Sequence, residues 1–228
     1  MSAGQDHTSL KYRKKTIPLD LARAILKPQQ EKMVRAFMHH FPPTLALRVL
    51  DLGTNGSLER KDLYTFQNLY PYLNNTVACG LEEATIFARH FPDVSYVRAT
   101  RGEGLPFADN TFDVVHCAAV IEHVGNRDAQ RAFLAEALRV ARAGFFTTPN
   151  RWFPIELHTV LPFVHYLPQG PRRHILRSLG FDFFAEEENL NLLTRRDLIA
   201  LVPRERTAAV QNFRFLGLVS NLLLVVTP

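Results

Sequence analysis

Residues that could carry chemistry follow three short apolar runs in the sequence. The first run ends in Asp51 and the glycine-containing turn Gly53–Ser57, the second ends at Glu82, and the third ends just before Glu122 and His123. Glycines let a backbone pass close to a ligand, and a carboxylate can accept hydrogen bonds from an amino group or from both hydroxyls of a ribose. A histidine can act as a base near neutral pH. These groups could therefore bind a ribose-containing ligand and move a proton beside it.

Each of these features also has a purely structural interpretation. A Gly-x-x-Gly turn such as Gly53–Gly56 is often only a turn, and Glu82 alone could be a solvated residue at the start of a helix. His123 could likewise be a hydrogen-bonded helix-start residue, and His116, inside a strand, is expected in the core. The order of the features along one pattern of strands and helices favours the functional interpretation.

The elements that must position these residues are strands alternating with helices. Helical spacing of apolar residues is clearest over Asp128–Arg142, and Gly144 is expected to follow that helix as its C′ residue. Such alternation predicts βαβ units and a mostly parallel sheet, in which ligands bind beyond the carboxyl ends of the strands. Farther on, Thr194 should open a short helix. The predicted strands are Leu47–Leu52, Thr76–Leu81, Val94–Ala99, Phe112–Ala118, Phe145–Thr148, Asn212–Phe215 and Asn221–Val226.

The domain organisation follows from the same pattern. We expect one domain over residues 1–228, with a helical extension over 1–43 and an inserted cap over 150–193, where prolines alternate with aromatic residues. The cap could contact a substrate, although its aromatic residues could instead pack it onto the sheet. Irregular histidine spacing without a paired carboxylate cluster predicts no metal site there. The candidate substrate contacts are Trp152, Glu156, His158, His165 and Tyr166.

Composition and charge narrow the function further. The net charge of +5 is mild and no dense basic stripe is present, which argues against a nucleic-acid partner and leaves room for an anionic or lipid-like one. Cys79 and Cys117 lie in apolar runs and are expected to be buried thiols. The N-terminus lacks a signal-peptide pattern, and no run of about 20 apolar residues occurs. We therefore expect a cytoplasmic protein, with peripheral membrane contact left open and the oligomeric state undetermined.

Five short motifs lie along the chain: Val49–Gly53, Leu105–Val115, Ile121–Val124, Leu138–Val140 and Thr148–Asn150. Together they resemble class I S-adenosylmethionine-dependent methyltransferases. The resemblance covers the first five predicted strands, and the "LPF-x-D-x-x-FD" pattern is similar to the signature of the type 11 branch. It implies a Rossmann-like three-layer α/β sandwich, whose seven-stranded, mostly parallel sheet has an antiparallel last strand and binds S-adenosylmethionine across its first strands.

The resemblance also implies a set of site residues. We expect Asp51 and Glu82 to bind opposite ends of the cofactor in one crevice. His123 is the candidate base. A further resemblance, to a subgroup of methyltransferase-like proteins, rests on Thr147–Pro154, His158-Thr159, Leu161–Pro168 and Glu188–Leu193, and informs the fold rather than the reaction. The expected cofactor-binding residues are Asp51, Gly53, Asn55, Glu82, Gly102, Glu103 and Ala118.

Three departures from the family pattern keep two hypotheses open. Asn55 and Ser57 stand where the family has its last two glycines, residues 58–75 enlarge the link to the second strand, and Arg101 or its neighbour stands where an acidic residue often accepts from the adenine amino group. One hypothesis is a methyltransferase for a small or lipid-linked acceptor, with oxygen as the expected acceptor atom. The alternative is a non-catalytic methyltransferase-fold scaffold or binding protein that has lost the cofactor. A nicotinamide oxidoreductase fits poorly, because the Gly-x-Gly-x-x-Gly spacing is absent.

Overall fold

The computed structural model describes residues 19–228, with side chains from residue 26 onwards, and is built from helices alternating with strands. The predicted strands all form, although β5, β6 and β7 begin earlier than expected. The strands are β1 (Val49–Leu52), β2 (Thr76–Gly80), β3 (Ser95–Arg98), β4 (Phe112–Ala118), β5 (Ala141–Pro149), β6 (Thr207–Phe215) and β7 (Leu218–Thr227). The helices are α1 (Leu19–His40), α2 (Thr65–Leu69), α3 (Thr85–His90), α4 (Arg127–Val140), α5 (Gln169–Ser178), α6 (Asp182–Ala185) and α7 (Arg195–Ala200).

The strands form one seven-stranded sheet in the order β3-β2-β1-β4-β5-β7-β6. Strands β1 to β5 pair in parallel, whereas β7 pairs antiparallel with both β5 and β6. The strand order reverses between β1 and β4, so a crevice opens there at the carboxyl edge of the sheet. This topology confirms the expected Rossmann-like sandwich with its antiparallel last strand.

Helices cover both faces of the sheet, and strand alternation decides which residue faces which layer. Leu50 and Leu52 of β1 pack in the same apolar core as Leu134 and Leu138 of α4. Val49, one residue out of phase, packs on the opposite face in a core shared with α1 and α2. Asp51 has the same parity as Val49, so its side chain belongs to the α1 and α2 layer.

The junction between α4 and β5 differs from the prediction. The helix ends at Val140 and the strand begins at Ala141 without a loop, so Gly144 lies inside β5, where it pairs with Val115 and Val226. A Cβ atom on Gly144 would lie 2.4 Å from the Phe146 ring. The glycine is therefore required by close packing and not by the end of the helix.

The segment between β5 and α7 carries a small core of its own. Val164, Leu176, Phe181 and Phe184 are buried together there, and a bridge between Asn150 and Leu193 joins the two ends of the segment. Within the described residues, no helix is long and apolar enough to cross a bilayer.

The two cysteines are free and buried, as the sequence predicts. Burial raises the pKa of the Cys79 thiol to about 11 and raises that of Cys117 well above its ordinary value. Both thiols are therefore protonated and unreactive near neutral pH.

Candidate active site

An open cleft of about 1820 Å³ lies at the carboxyl edge of the sheet, where the strand order reverses. The turn after β1 and the end of β2 line one side, the loop after β3 lines another, and residues of α6 and its following segment close the far end. Ligand sites commonly occupy about 300–1,000 Å³, so the cleft can hold a cofactor together with an acceptor. The predicted residues that line it are Gly53, Asn55, Glu82, Gly102, Glu103 and His123.

The turn after β1 is held close to β2 by positions that tolerate no side chain. Gly53 has φ +93°, and a Cβ atom there would lie 2.2 Å from Val120. A Cβ atom on Gly80 would lie 1.9 Å from the Thr54 carbonyl oxygen. The Gly53 and Thr54 amides donate to the Cys79 carbonyl at 2.7 and 3.0 Å. These contacts fix the turn at the base of the cleft and keep it free of side-chain bulk.

Asn55 stabilises the turn at a position where the family has glycine. Its Oδ1 accepts a hydrogen bond of 2.8 Å from the Ser57 amide, a local turn that the Asn side chain forms readily. The φ angle of Asn55 is not positive, so this turn does not need a glycine there. The departure from the glycine pattern is therefore compatible with an ordered turn.

Asp51 does not line the cleft. Its carboxylate is buried on the α1 and α2 side, where it accepts hydrogen bonds from Thr54 Oγ1 (2.5 Å), Gln67 Nε2 (2.5 Å) and His116 Nδ1 (2.6 Å). The expectation that Asp51 and Glu82 face one crevice is thus wrong for Asp51. Its three bonds tie the turn to β4 and α2, so Asp51 positions the turn and does not face a ligand. His116 is buried against the Phe66 ring, as expected for a core residue.

Glu82 is placed as the sequence predicts. It lies half-buried at the end of β2 on the wall of the cleft, and no hydrogen bond or ion pair of its carboxylate is found among the described residues. The neighbouring Glu83 is instead exposed and paired with Arg98. Tyr96 Oη lies 3.1 Å from the Glu82 carbonyl oxygen and 3.2 Å from that of Thr54, which fixes the backbone at this point. The Glu82 carboxylate therefore has its full hydrogen-bonding capacity available to a ligand.

The loop after β3 is shaped by Arg139 of α4. The guanidinium donates to the carbonyl oxygens of Leu105 and Phe107 at 3.1 and 3.0 Å, to Asp109 at 2.6 Å and to Glu136 at 2.8 Å. The Leu-Arg-Val motif and the type 11 signature therefore form one clamp, in which Arg139 of the first motif holds the backbone of the second. The clamp holds the loop that brings Arg101, Gly102 and Glu103 to the cleft.

His123 and Glu122 lie where β4 gives way to a short 3-10 turn. His123 lines the cleft, and its Nδ1 lies 2.6 Å from the Asn189 carbonyl oxygen, which requires the hydrogen on Nδ1. Glu122 is fully buried, and its Oε2 accepts a hydrogen bond of 2.9 Å from Thr148. Burial raises the pKa of Glu122 above its ordinary value. The Asn191 amide donates to the Glu122 carbonyl at 2.7 Å, so the segment before α7 fixes both residues.

Glu156 and His158, predicted as substrate contacts, lie buried behind His123 and not in the cleft. Glu156 accepts hydrogen bonds from His158 Nδ1 (2.6 Å) and from the Thr159 amide and hydroxyl (both 2.7 Å). Burial acts to raise the pKa of Glu156, but His158 and these hydrogen bonds outweigh it and lower the pKa to about 2. The His158 ring packs edge-on against His123 at a centroid distance of 4.7 Å.

The remaining predicted residues lie outside the lining of the cleft. Trp152 and Tyr166 are exposed on the cap and linked by a hydrogen bond of 2.7 Å from Tyr166 Oη to the Trp152 carbonyl. His165 is buried against the Phe153 carbonyl, and burial lowers its pKa. Ala118 is exposed at the end of β4, but Ala119 and Val120 take its place in the cleft.

Sequence reasoning missed two features of the cleft. Gly80 ends β2 and faces the cleft, and its position before Glu82 is a signal that could have revealed it. Asn189 lines the far end and holds His123, but it comes 66 residues later in the chain, so only the fold brings the two together.

Comparison with known proteins agrees with this architecture. A family profile described as "Methyltransferase domain" matches residues 50–146, and no curated protein matches the chain. The PH0226 protein of Pyrococcus horikoshii is similar at a TM-score of 0.56 and 16% identity, over 96% of this chain and 95% of that one. A Thermotoga maritima protein described as a SAM-dependent methyltransferase has a TM-score of 0.54 and 14% identity, over 91% of each chain.

A third solved structure, the N-terminal domain of EvdMO1 with SAH bound, has a TM-score of 0.50 and 20% identity over 86% of this chain and 79% of that one. At these identities the solved structures establish the fold, and the family profile covers the segment from β1 to β5. The segment of residues 50–146 therefore matches the type 11 methyltransferase family, and the solved structures show that the chain has the fold of class I S-adenosylmethionine-dependent methyltransferases.

Proposed function

We propose that this protein transfers a methyl group from S-adenosylmethionine to a small-molecule acceptor in the cleft. The observation that carries the proposal is the Glu82 carboxylate, which stands on the cleft wall without a partner among the described residues. It lies at the end of the strand next to the glycine turn of β1, at the sheet edge where open α/β sheets bind their ligands. A carboxylate there can accept hydrogen bonds from both ribose hydroxyls.

The residues of the cleft fit this cofactor. Gly53 and Gly80 leave the backbone exposed at the base of the cleft, and the loop held by Arg139 offers the backbone of Gly102 and Glu103. S-adenosylmethionine supplies an activated methyl group when it is bound. The protein then has to align the acceptor with that group, which the residues that line the far end of the cleft can do.

The acceptor side of the proposal rests on His123 and on the cap. Because Nδ1 of His123 is bonded to the Asn189 carbonyl, Nε2 is the nitrogen that could take a proton from an acceptor. Oxygen is the acceptor atom we propose. Trp152, Phe163 and Tyr166 form an exposed aromatic group on the cap, outside the cleft lining, which supports contact with a membrane surface that carries a lipid-linked acceptor.

The alternative is a scaffold that has the fold without the cofactor. Asn55 in place of a glycine, Arg101 in place of an acidic residue, and the inward-facing Asp51 are the observations that favour it. The two functions differ in one measurable property, the binding of S-adenosylmethionine.

Calorimetric titration of the full chain with S-adenosylmethionine tests the proposal. Binding in the micromolar range is expected, and Glu82→Gln should weaken it roughly 10- to 100-fold, because charged hydrogen bonds to the ribose contribute about 1.5–3 kcal/mol. Glu59→Gln is the matched control and should leave affinity unchanged, because Glu59 is exposed and outside the cleft lining. Absence of binding at millimolar ligand would support the scaffold, and equal losses in both variants would contradict the role of Glu82.

A further inference from the structure

Glu122, His123 and His158 bring three ligand atoms together behind the wall of the cleft. One nitrogen of each imidazole and one carboxylate oxygen all lie within 4.8 Å of one another. We propose that these residues form a binding site for a single divalent transition-metal ion. The sequence analysis predicted no metal site in the cap, because the histidines there are irregularly spaced. In the structure, His158 instead meets residues at the end of β4.

The second nitrogen of each imidazole is held in the way that orients a metal ligand. His158 Nδ1 bonds to the Glu156 carboxylate and His123 Nδ1 bonds to the Asn189 carbonyl, each at 2.6 Å. An oxygen acceptor on Nδ1 fixes the tautomer and directs the Nε2 lone pair away from it, as in carboxylate–histidine–metal arrangements. Glu156 in turn accepts hydrogen bonds from Thr159, so the residue that orients His158 is itself held in place.

The Glu122 carboxylate gives an independent indication of a ligand. Its Oε2 is bonded to Thr148, but Oε1 is fully buried and has no hydrogen-bond partner among the described residues. This oxygen lies 3.9 Å from His123 Nε2, too far for a hydrogen bond and close enough for both atoms to share an ion. A buried polar oxygen without a partner is costly, and a bound cation would satisfy it.

The three ligands are positioned by segments far apart in the chain. The Asn191 amide bonds to the Glu122 carbonyl at 2.7 Å, and Gln130 Nε2 bonds to the Asn191 and Ile121 carbonyls at 2.8 and 3.0 Å. The motifs that mark the subgroup resemblance, His158-Thr159 and Glu188–Leu193, therefore meet at the end of β4. They hold the ligands in place before any ion binds.

The donor set selects the class of ion. Two imidazoles and one carboxylate without a thiolate suit Zn²⁺ and related divalent ions, and three protein ligands leave one coordination position open. Ligand atoms on a tetrahedral zinc ion lie about 3.3 Å apart, given bonds of about 2.0–2.1 Å. Glu122 Oε1 and His123 Nε2 would therefore approach by roughly 0.6 Å from their 3.9 Å separation. Since His123 alone of the three lines the cleft, the ion would reach its site from the cleft.

The consequence for catalysis rests on the proposed function. With the ion bound, His123 Nε2 is a ligand and not a base. The open coordination position would then bind the acceptor oxygen and lower its pKa, so that the oxygen would lose its proton to solvent water in the open cleft when it is methylated. The metal site itself does not depend on the identity of the acceptor or on cofactor binding.

The test is a calorimetric titration of tag-free, chelator-treated full-length protein with ZnCl₂ alone. One ion per chain is expected, and Co²⁺ should give the visible absorption bands of a low-coordinate site. Glu122→Gln and His158→Gln should each weaken Zn²⁺ binding by roughly 100-fold or more, because even the loss of an orienting partner costs about 10- to 100-fold. Glu156→Gln should weaken Zn²⁺ binding by only about 10- to 100-fold, with one ion still bound per chain. His174→Gln, at an exposed histidine of α5, should have no effect.

Circular dichroism decides which variants are folded. If a variant is unfolded, the stoichiometry of Zn²⁺ binding and the Co²⁺ spectrum of the wild-type protein test the proposal in its place. A wild-type protein that binds no Zn²⁺, or a folded His158→Gln that binds it as tightly as His174→Gln, overturns the proposal. Zinc binding without S-adenosylmethionine binding keeps the metal site and removes the proposed function. The opposite result keeps the methyltransferase and removes the metal site.

Discussion

Replacing Gly53 by alanine tests the geometry at the base of the cleft. The residue has φ +93°, a region that an alanine adopts at a cost, and its new Cβ would lie 2.2 Å from Val120 Cγ2. Neither atom can move freely, because the Gly53 amide is bonded to Cys79 and Val120 packs against the main core. The substitution should therefore add a steric cost to a backbone cost.

The two costs can be worked out separately. A positive φ costs a non-glycine residue about 1–2 kcal/mol, and forcing an extra carbon into a packed site costs about 1–3 kcal/mol. Gly53→Ala should thus lower the free energy of unfolding by about 2–5 kcal/mol. Gly217 has φ +82° with no atom within 4 Å of the added Cβ, so Gly217→Ala should lose only the backbone part, about 1–2 kcal/mol.

Urea unfolding followed by circular dichroism measures both losses. Val120→Ala in the Gly53→Ala background should recover about 1–3 kcal/mol of the free energy of unfolding in a double-mutant cycle, because it removes the Cγ2 atom that the new Cβ atom would contact. The same pair of variants should lose and regain affinity for S-adenosylmethionine, since both residues line the cleft. Equal destabilisation by the Gly53 and Gly217 substitutions, or a cycle without coupling, would refute the reasoning.

Two further predictions concern the elements around the cleft. The hydrogen bonds from Arg139 hold the pKa of Glu136 below its ordinary value. Its stabilising contribution is therefore present above about pH 4.3, the unfolded value, and is lost as the pH falls toward the lower folded pKa. Urea titrations at several pH values should show a shallower acid decline for Glu136→Gln than for wild type, and parallel curves would contradict this. Asn126 caps α4 through bonds of 3.1 and 3.0 Å to the amides of Asp128 and Ala129. Asn126→Ala should lower the free energy of unfolding by about 1 kcal/mol, whereas Asn126→Ser should retain most of it.

The order and type of the elements could be predicted because local sequence determines them. Short apolar runs bounded by turn residues gave the strands, and Thr194 gave the start of α7, where it caps the helix with Asp197. The direct passage from α4 into β5 could not be predicted from Gly144. A glycine that ends a helix and one that is needed for close packing against Phe146 are the same residue in the sequence.

The site was predictable only where strand ends determine it. Gly53 follows β1 directly and Glu82 lies two residues after β2, so topology alone brings them to the cleft. The inward orientation of Asp51 follows from strand alternation, because it shares its parity with Val49, but its partners Gln67 and His116 are 16 and 65 residues away. Such contacts depend on how α2 packs, which local patterns do not encode.

The cleft divides into two ends that differ in how the sequence specifies them. The end with Gly53, Glu82 and the loop held by Arg139 lies within residues 50–146, the segment shared with the methyltransferase family. The far end is lined by Asp182, Phe183, Glu186 and Asn189, which lie outside that segment and beside His123. Acceptor choice is therefore expected to reside in the cap, since the residues of the far end lie outside the segment that the family shares. Substitutions at the far end are expected to change the acceptor while leaving cofactor affinity intact, and substitutions at the glycine turn are expected to do the reverse.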